Sequence, residues 1–300
     1  MGAVAVNPFW LIKHIITTRD VRRSHAHYVA FLSENAQNPK HRLVLEYIAQ
    51  REAYPAGPDN GWRCEFTRLP KHDKLLKRYD LDEVAGQGSS FERALRVMDW
   101  LTAHTWYNGV NVLANMRFYR RWSKTPQMLR FGYDKPFRRA LNCGHKAAVL
   151  TDCLLAVGMF AMQVAAVGYY SDVKDYWCNH CVVHVWLEEE KRWVVLDPSF
   201  NSYFTDSAGC VVNLIELQDL YRKGEEIRVA QYDFNGTQDR RGSYLDDFVL
   251  NCLLELIVLD DAGGDWTSGD KNKSRHLLPG DLAPKERAIT AAELLAAPAR

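Results

Sequence analysis

Three residue types that together make a nucleophilic site occur in this chain in the order cysteine, histidine, aspartate. Cys143 lies in "ALNCGHKAAVLTDCLLAVGM", Ala140 to Met159, in a polar Asn-Cys-Gly-His setting at the mouth of an otherwise Ala- and Leu-rich helix. A structural cysteine fits better inside the apolar part of such a helix, where Cys153 lies ten positions later. At a first turn, unpaired N–H groups and the positive end of the helix dipole favour a thiolate, and Arg138 and Arg139 upstream add to that field. One of those N–H groups is also suited to stabilising the oxyanion formed when a thiolate attacks an amide carbonyl. Gly144 leaves the approach to the sulfur open.

A thiolate nucleophile needs a general base, and the base needs a group to orient it. "HCVVHVWLE" (180–188) and "RWVVLDPSF" (192–200) are β-branched and aromatic and read as strands. The short charged turn Glu189 to Lys191 between them predicts an antiparallel hairpin. Residues two apart on a strand share a face, so His180, Val182, His184 and Trp186 point one way, and Trp193, Val195 and Asp197 form a face on the neighbouring strand. Alternation does not choose between His180 and His184. One cysteine alone would be an ordinary helix residue and one histidine a satisfied core group. All three elements together point to a papain-type Cys-His-Asp arrangement.

The run of an "NCGHKA" helix, "LLAVGMFAMQVAAVGYY", "HCVVHVW" and "RWVVLDPSF" resembles the transglutaminase-like, papain-like cysteine enzyme superfamily. That family carries G-x-C-x-x-x-A, a leucine-rich helix ending near a glycine, H-x-W-V-E-x-Y/W and W-x-x-x-D-P. Ala147, Gly158 and the "WVVLDP" run Trp193 to Pro198 fit, and "RALRVMDWLTAHTWYNG" resembles the helix before the cysteine. Asn142, Val182 and His184 depart from the pattern. The resemblance implies an α+β, papain-like fold, with the cysteine helix packed on an antiparallel sheet. Further, it implies Cys143 as nucleophile, His180 as base because it opens the motif, and Asp197 as the orienting acid. The 17-residue interval from His180 to Asp197 suits a hairpin that sets them opposite each other, whereas starting at His184 shortens it to 13. The family's upstream tryptophan, which helps hold the oxyanion, corresponds to Trp106. The implied activity is an amide or peptide bond hydrolase or an acyl transferase working through a thioester, with hydrolysis favoured. Its substrate is a peptide, a protein or a small amide, and it needs no cofactor. A binding or scaffolding protein on the same fold is the alternative.

Several elements must position these residues. Residues 1–80 read as a helical N-terminal elaboration, with "FWLIKHII" and "HRLVLEYIAQRE" at helical spacing and "AYPAGPDNGW" as a loop. Residues 81–224 read as the catalytic core and 225–300 as a C-terminal elaboration. Within the core, "GSSFERALRVMDWLTAHTWYNG" predicts a capped helix with Glu92 following Ser89 and Ser90. "KTPQMLRFGYDKPFRR" reads as irregular, "MQVAAVGYY" (162–170) as a strand and "LIELQDLYRKG" as a short helix ending at Gly224. "DDFVLNCLLELIVLDD" is buried but fits helix or strand, "DAGGDWTSGDKNKSRH" reads as a polar loop, and Thr290 to Glu293 has capping-box spacing.

Composition narrows the function classes. With 300 residues, 47% hydrophobic and 25% charged, the chain is an ordinary globular protein with ample core. A net charge of +1 gives no footprint for nucleic acid. No stretch approaches the roughly 18 consecutive apolar residues that span a bilayer. The start lacks the pattern of a secretion signal, and seven scattered cysteines fit reduced thiols in a cytoplasm. "CNHC" (Cys178 to Cys181) with His184 and Cys210 lacks a second pair at metal-site spacing, so no metal is expected. "GQGSS" (Gly86 to Ser90) lacks the Gly-Lys-Ser/Thr ending of a phosphate loop, and there is no G-x-S-x-G elbow.

Overall fold

Residues 57–107, 125–132, 141–167, 179–233, 255–259, 274–277 and 287–299 are described in this computed structural model, with isolated positions between 30 and 54. "FWLIKHII" and Gly109 lie outside the described residues, and of "HRLVLEYIAQRE" positions 42, 45, 46 and 49 are described and helical.

The strands β1 (Ala161–Val167), β2 (Asn179–Leu187), β3 (Arg192–Asp197), β4 (Ser202–Thr205) and β5 (Arg228–Ala230) follow one another as an antiparallel meander. Then β6 (Glu255–Leu259) returns to pair with β1, and β7 (Ser274–Leu277) pairs with β6. The seven strands form one sheet in the order β5-β4-β3-β2-β1-β6-β7. Burial on both faces explains why β1 to β3 are almost continuously apolar. The helices α1 (Pro70–Arg78), α2 (Leu81–Ala85), α3 (Ser90–His104), α4 (Thr125–Gly132) and α5 (Cys143–Ala156) gather on one face. There Val97, Leu101, Leu150 and Leu154 pack with Val183, Val185, Val194 and Leu196 of the sheet. The opposite face presents Val182, Trp186, Trp193 and Val195 to α6 (Leu214–Lys223) and to α7 (Ala291–Leu295). This is an α+β architecture with the cysteine helix packed on an antiparallel sheet, as the sequence predicts.

Local chemistry sets the helix ends. Ser89 accepts from the Glu92 N–H while the Glu92 carboxylate accepts from the Ser89 N–H, the reciprocal cap expected for α3. The same device opens α6 at Asn213 and Glu216 and α7 at Thr290 and Glu293. Gly224 closes α6 at φ 70°, a left-handed conformation that glycine adopts without steric cost.

Two expectations are corrected. Thr125–Gly132 is helical, not irregular: Pro126 sits in the first turn, where no intrahelical N–H bond is lost. Ser274–Leu277 is a strand, not part of a polar loop, because pairing with β6 supplies an order its own residues do not signal. The ambiguous "DDFVLNCLLELIVLDD" is strand over its described part, Glu255–Leu259.

Candidate active site

Cys143 is the first residue of α5 and is half-buried. The helix starts there because the Asn142 side chain accepts from the His145 N–H at 2.9 Å. Just before it, the Leu141 N–H donates to the Trp106 carbonyl at 2.7 Å, so the stretch leading to the cysteine is tied to the end of α3. Cys143 makes side-chain hydrogen bonds with Cys181 and with His180, and the Cys181 N–H donates to its sulfur. The Cys181 bond foremost, then the His180 bond and charge, hold the Cys143 thiol well below its ordinary range against the opposing effect of burial.

His180 and Asp197 stand at one end of the sheet, where β2 begins and β3 ends. The register pairs Val183 with Leu196 and His184 with Val195. Continued by one pair, it sets Asp197 beside Val182, so His180 is diagonal to the aspartate and not directly opposite it. A diagonal neighbour on the same face is within reach of a ring. His180 Nε2 meets Asp197 Oδ2 at 2.6 Å. Asp197, fully buried, also accepts from the Ser199 N–H through Oδ1 at 2.8 Å. Burial pulls His180 down, but the Asp197 charge and hydrogen bond, followed by Cys143, raise it to about 10. A lowered thiol beside a raised imidazole is the signature of a thiolate–imidazolium pair.

His184 lies elsewhere. It is completely buried beneath the sheet, its ring 6.3 Å from that of Trp193, and its Nε2 accepts from the Leu214 N–H at 3.3 Å. Burial pushes it down to about 3, so it is a neutral cap for the start of α6. Trp106 is half-buried, and its carbonyl accepts from the Leu141 N–H two residues before the cysteine.

Three neighbours of the site escape a motif reading. Cys181 points to the α5 face of β2, away from His180 and His184, as alternation requires, and that orientation brings it to Cys143. Lys146, one turn along α5 from Cys143, is only 1% exposed. Burial pushes it down to about 7, against the charges of Asp197 and Asp233. Its signal is the spacing of three residues from the cysteine, which puts both on one helix side. Phe200 lies 5.7 Å from the His180 ring and stacks on Tyr232 at 5.8 Å, with Tyr107 at 5.4 Å. This aromatic cluster comes from three separate segments and has no local signature.

Among the described residues no three His, Cys, Asp or Glu side chains converge as metal ligands, and no helix is long and apolar enough to cross a membrane. Cys178 lies outside the described residues.

No curated protein and no solved structure matches the chain significantly. Residues 79–198 match the family model of the transglutaminase-like superfamily. The matched span takes in the cap and helix of α3, all of α5, and the β2–β3 hairpin through Asp197 and Pro198. Residues 79–198 are therefore a transglutaminase-like domain.

Proposed function

We propose that the protein is a cysteine-dependent amide hydrolase in which Cys143 is the nucleophile, His180 the general base and acid, and Asp197 the group that orients the imidazole. The observation that carries this reading is the continuous chain of hydrogen bonds from the half-buried Cys143 through His180 to the buried Asp197. The thiolate attacks the amide carbonyl carbon, and the oxygen takes up the negative charge. Asn142 already engages the His145 and Lys146 N–H groups, so those of Cys143 and Gly144 are the helix donors suited to that oxyanion. Trp106, anchored beside Leu141, is the proposed additional oxyanion group. As the tetrahedral species collapses, the C–N bond breaks and the departing amine takes the His180 proton, leaving a thioester on Cys143. His180 then takes a proton from water, whose oxygen attacks the thioester and releases the acid. An amine in place of that water gives acyl transfer by the same residues.

The substrate is a peptide, a protein or a small amide, and the thiols fit a reducing, cytoplasmic setting. The test is alkylation of the reduced full chain with iodoacetamide across pH 5–10, mapped by mass spectrometry. The expected result is that Cys143 is modified first and that its rate holds up to acid pH, below the ordinary thiol pKa of about 8.5. A Cys143 no more reactive than free cysteine at neutral pH would overturn the enzyme reading in favour of a binding protein on the same fold.

A further inference from the structure

Beside the proposed nucleophile stands a second thiol that the hydrolytic mechanism does not use. Cys181 Sγ lies 3.7 Å from the point a Cβ on Gly144 would occupy, immediately next to Cys143. Its position is set by the sheet, since β1 pairs Ala165 with Cys181 and strand alternation aims the side chain at the N-terminus of α5. The two cysteine side chains are hydrogen-bonded to each other, and both are half-buried thiols that a molecule as small as hydrogen peroxide can reach. We propose that Cys143 and Cys181 form a reversible disulfide when a hydroperoxide oxidises Cys143, an oxidative modification site that switches the proposed nucleophile off. This rests on the reading of Cys143 as an activated thiol.

The chemistry balances in two steps. The Cys143 thiolate attacks one peroxide oxygen, the O–O bond breaks, and hydroxide leaves and is protonated to water. Cys143 is now a sulfenic acid. The Cys181 thiol then attacks that sulfur, the S–O bond breaks, and a second water departs with the Cys181 proton. Two thiols are oxidised and one peroxide is reduced. A dithiol reverses the reaction by exchange through a mixed disulfide. Cys181 acts as the resolving thiol that stops Cys143 from passing on to the irreversible sulfinic acid. Cys153 offers no competing site, because it is fully buried and burial pushes its thiol up.

The experiment treats the reduced full chain with hydrogen peroxide, blocks remaining thiols with iodoacetamide and digests it with trypsin without reduction. The expected product links the peptide Ala140–Lys146 to the peptide Asp175–Lys191, with fragmentation assigning the bond to Cys181 and not to Cys178. Cys143 alkylation should be lost after peroxide and fully restored by dithiothreitol. In Cys181→Ser, and in Cys181→Ala as a second variant whose folding is checked by circular dichroism, dithiothreitol should fail to restore it and sulfinic acid should accumulate on Cys143. A wild-type Cys143 that becomes sulfinic acid while Cys181 stays alkylatable, or that links to Cys178, overturns the proposal. Fast alkylation of reduced Cys143 with no cross-link fails the disulfide alone, whereas slow alkylation fails the hydrolase reading.

Discussion

His180 and His184 lie four residues apart on one strand face and titrate in opposite directions, because only the first meets a charge. Asp197 raises His180 to about 10, while burial alone lowers His184 to about 3. Replacing Cys143 with Ala should abolish turnover and leave thermal unfolding nearly unchanged, since a half-buried side chain at a helix start contributes little packing. Asp197→Asn removes the charge that raises His180. Its imidazole should lose its proton at lower pH, so the alkaline limb of the pH–rate profile moves to lower pH while some activity remains. A limb that stays in place would show that Asp197 does not act through His180. His184→Ala should do the reverse. It leaves the Leu214 N–H without its acceptor and a cavity beside Trp193, so stability should fall by about 2–4 kcal/mol in urea titration. The folded fraction should alkylate at Cys143 as the wild type does.

The same hydrogen bonds that start α5 also place the nucleophile. Asn142→Ala loses the His145 cap and should cost about 1 kcal/mol of stability. The consequence at the site should exceed the consequence for the fold. A frayed first turn moves Cys143 away from both Cys181 and His180, so its alkylation profile should shift towards that of an ordinary thiol. Thermal unfolding and alkylation measured on one preparation separate the two effects. The hairpin acts at the same scale. Its turn, closed by Lys191 at φ 52° and by the Lys191 to Glu188 ion pair at 2.7 Å, fixes the register that sets Asp197 diagonal to His180.

Across the whole molecule, the sheet is buried on two sides, and the buried charge of Lys146 makes folding stability depend on pH. Its folded pKa of about 7 lies below the ordinary 10.5, so between those values the unfolded chain holds a proton that the folded chain lacks. Lys146 therefore makes stability rise with pH over that window, a pH-dependent contribution on the order of 5 kcal/mol at most. His180 works oppositely: raised from 6.5 to about 10, it contributes stability below pH 6.5 that is lost as pH climbs through 10. Lys146→Met removes the first slope and leaves the second. The variant should gain most over the wild type near pH 6, and the gain should shrink steadily towards pH 10. A gain that is the same at every pH would show that folding does not lower the Lys146 pKa. The strands after Pro198 and the helix α7 belong to the same sheet and core, with Trp193 Nε1 donating to the Ala296 carbonyl at 2.8 Å. The α+β core thus continues beyond the span that the family comparison matches.

What the sequence determined by itself is what short-range chemistry encodes. Caps at Ser89 and Thr290, the alternation of the hairpin, and a polar cysteine at a helix mouth each depend on residues within a few positions of one another. Their spacing also sufficed to put Cys143 in a first turn and His180 and Asp197 on one face. Only the tertiary structure decided the rest. The diagonal relation of His180 to Asp197 comes from the strand register, β7 exists as a strand because β6 lies beside it, and His184 caps α6 across 30 residues of chain. Cys181 and Lys146 joined the site because a strand and a helix meet at one end of the sheet. No local pattern records such a meeting, since the free energy that enforces it comes from burying two faces of the sheet at once.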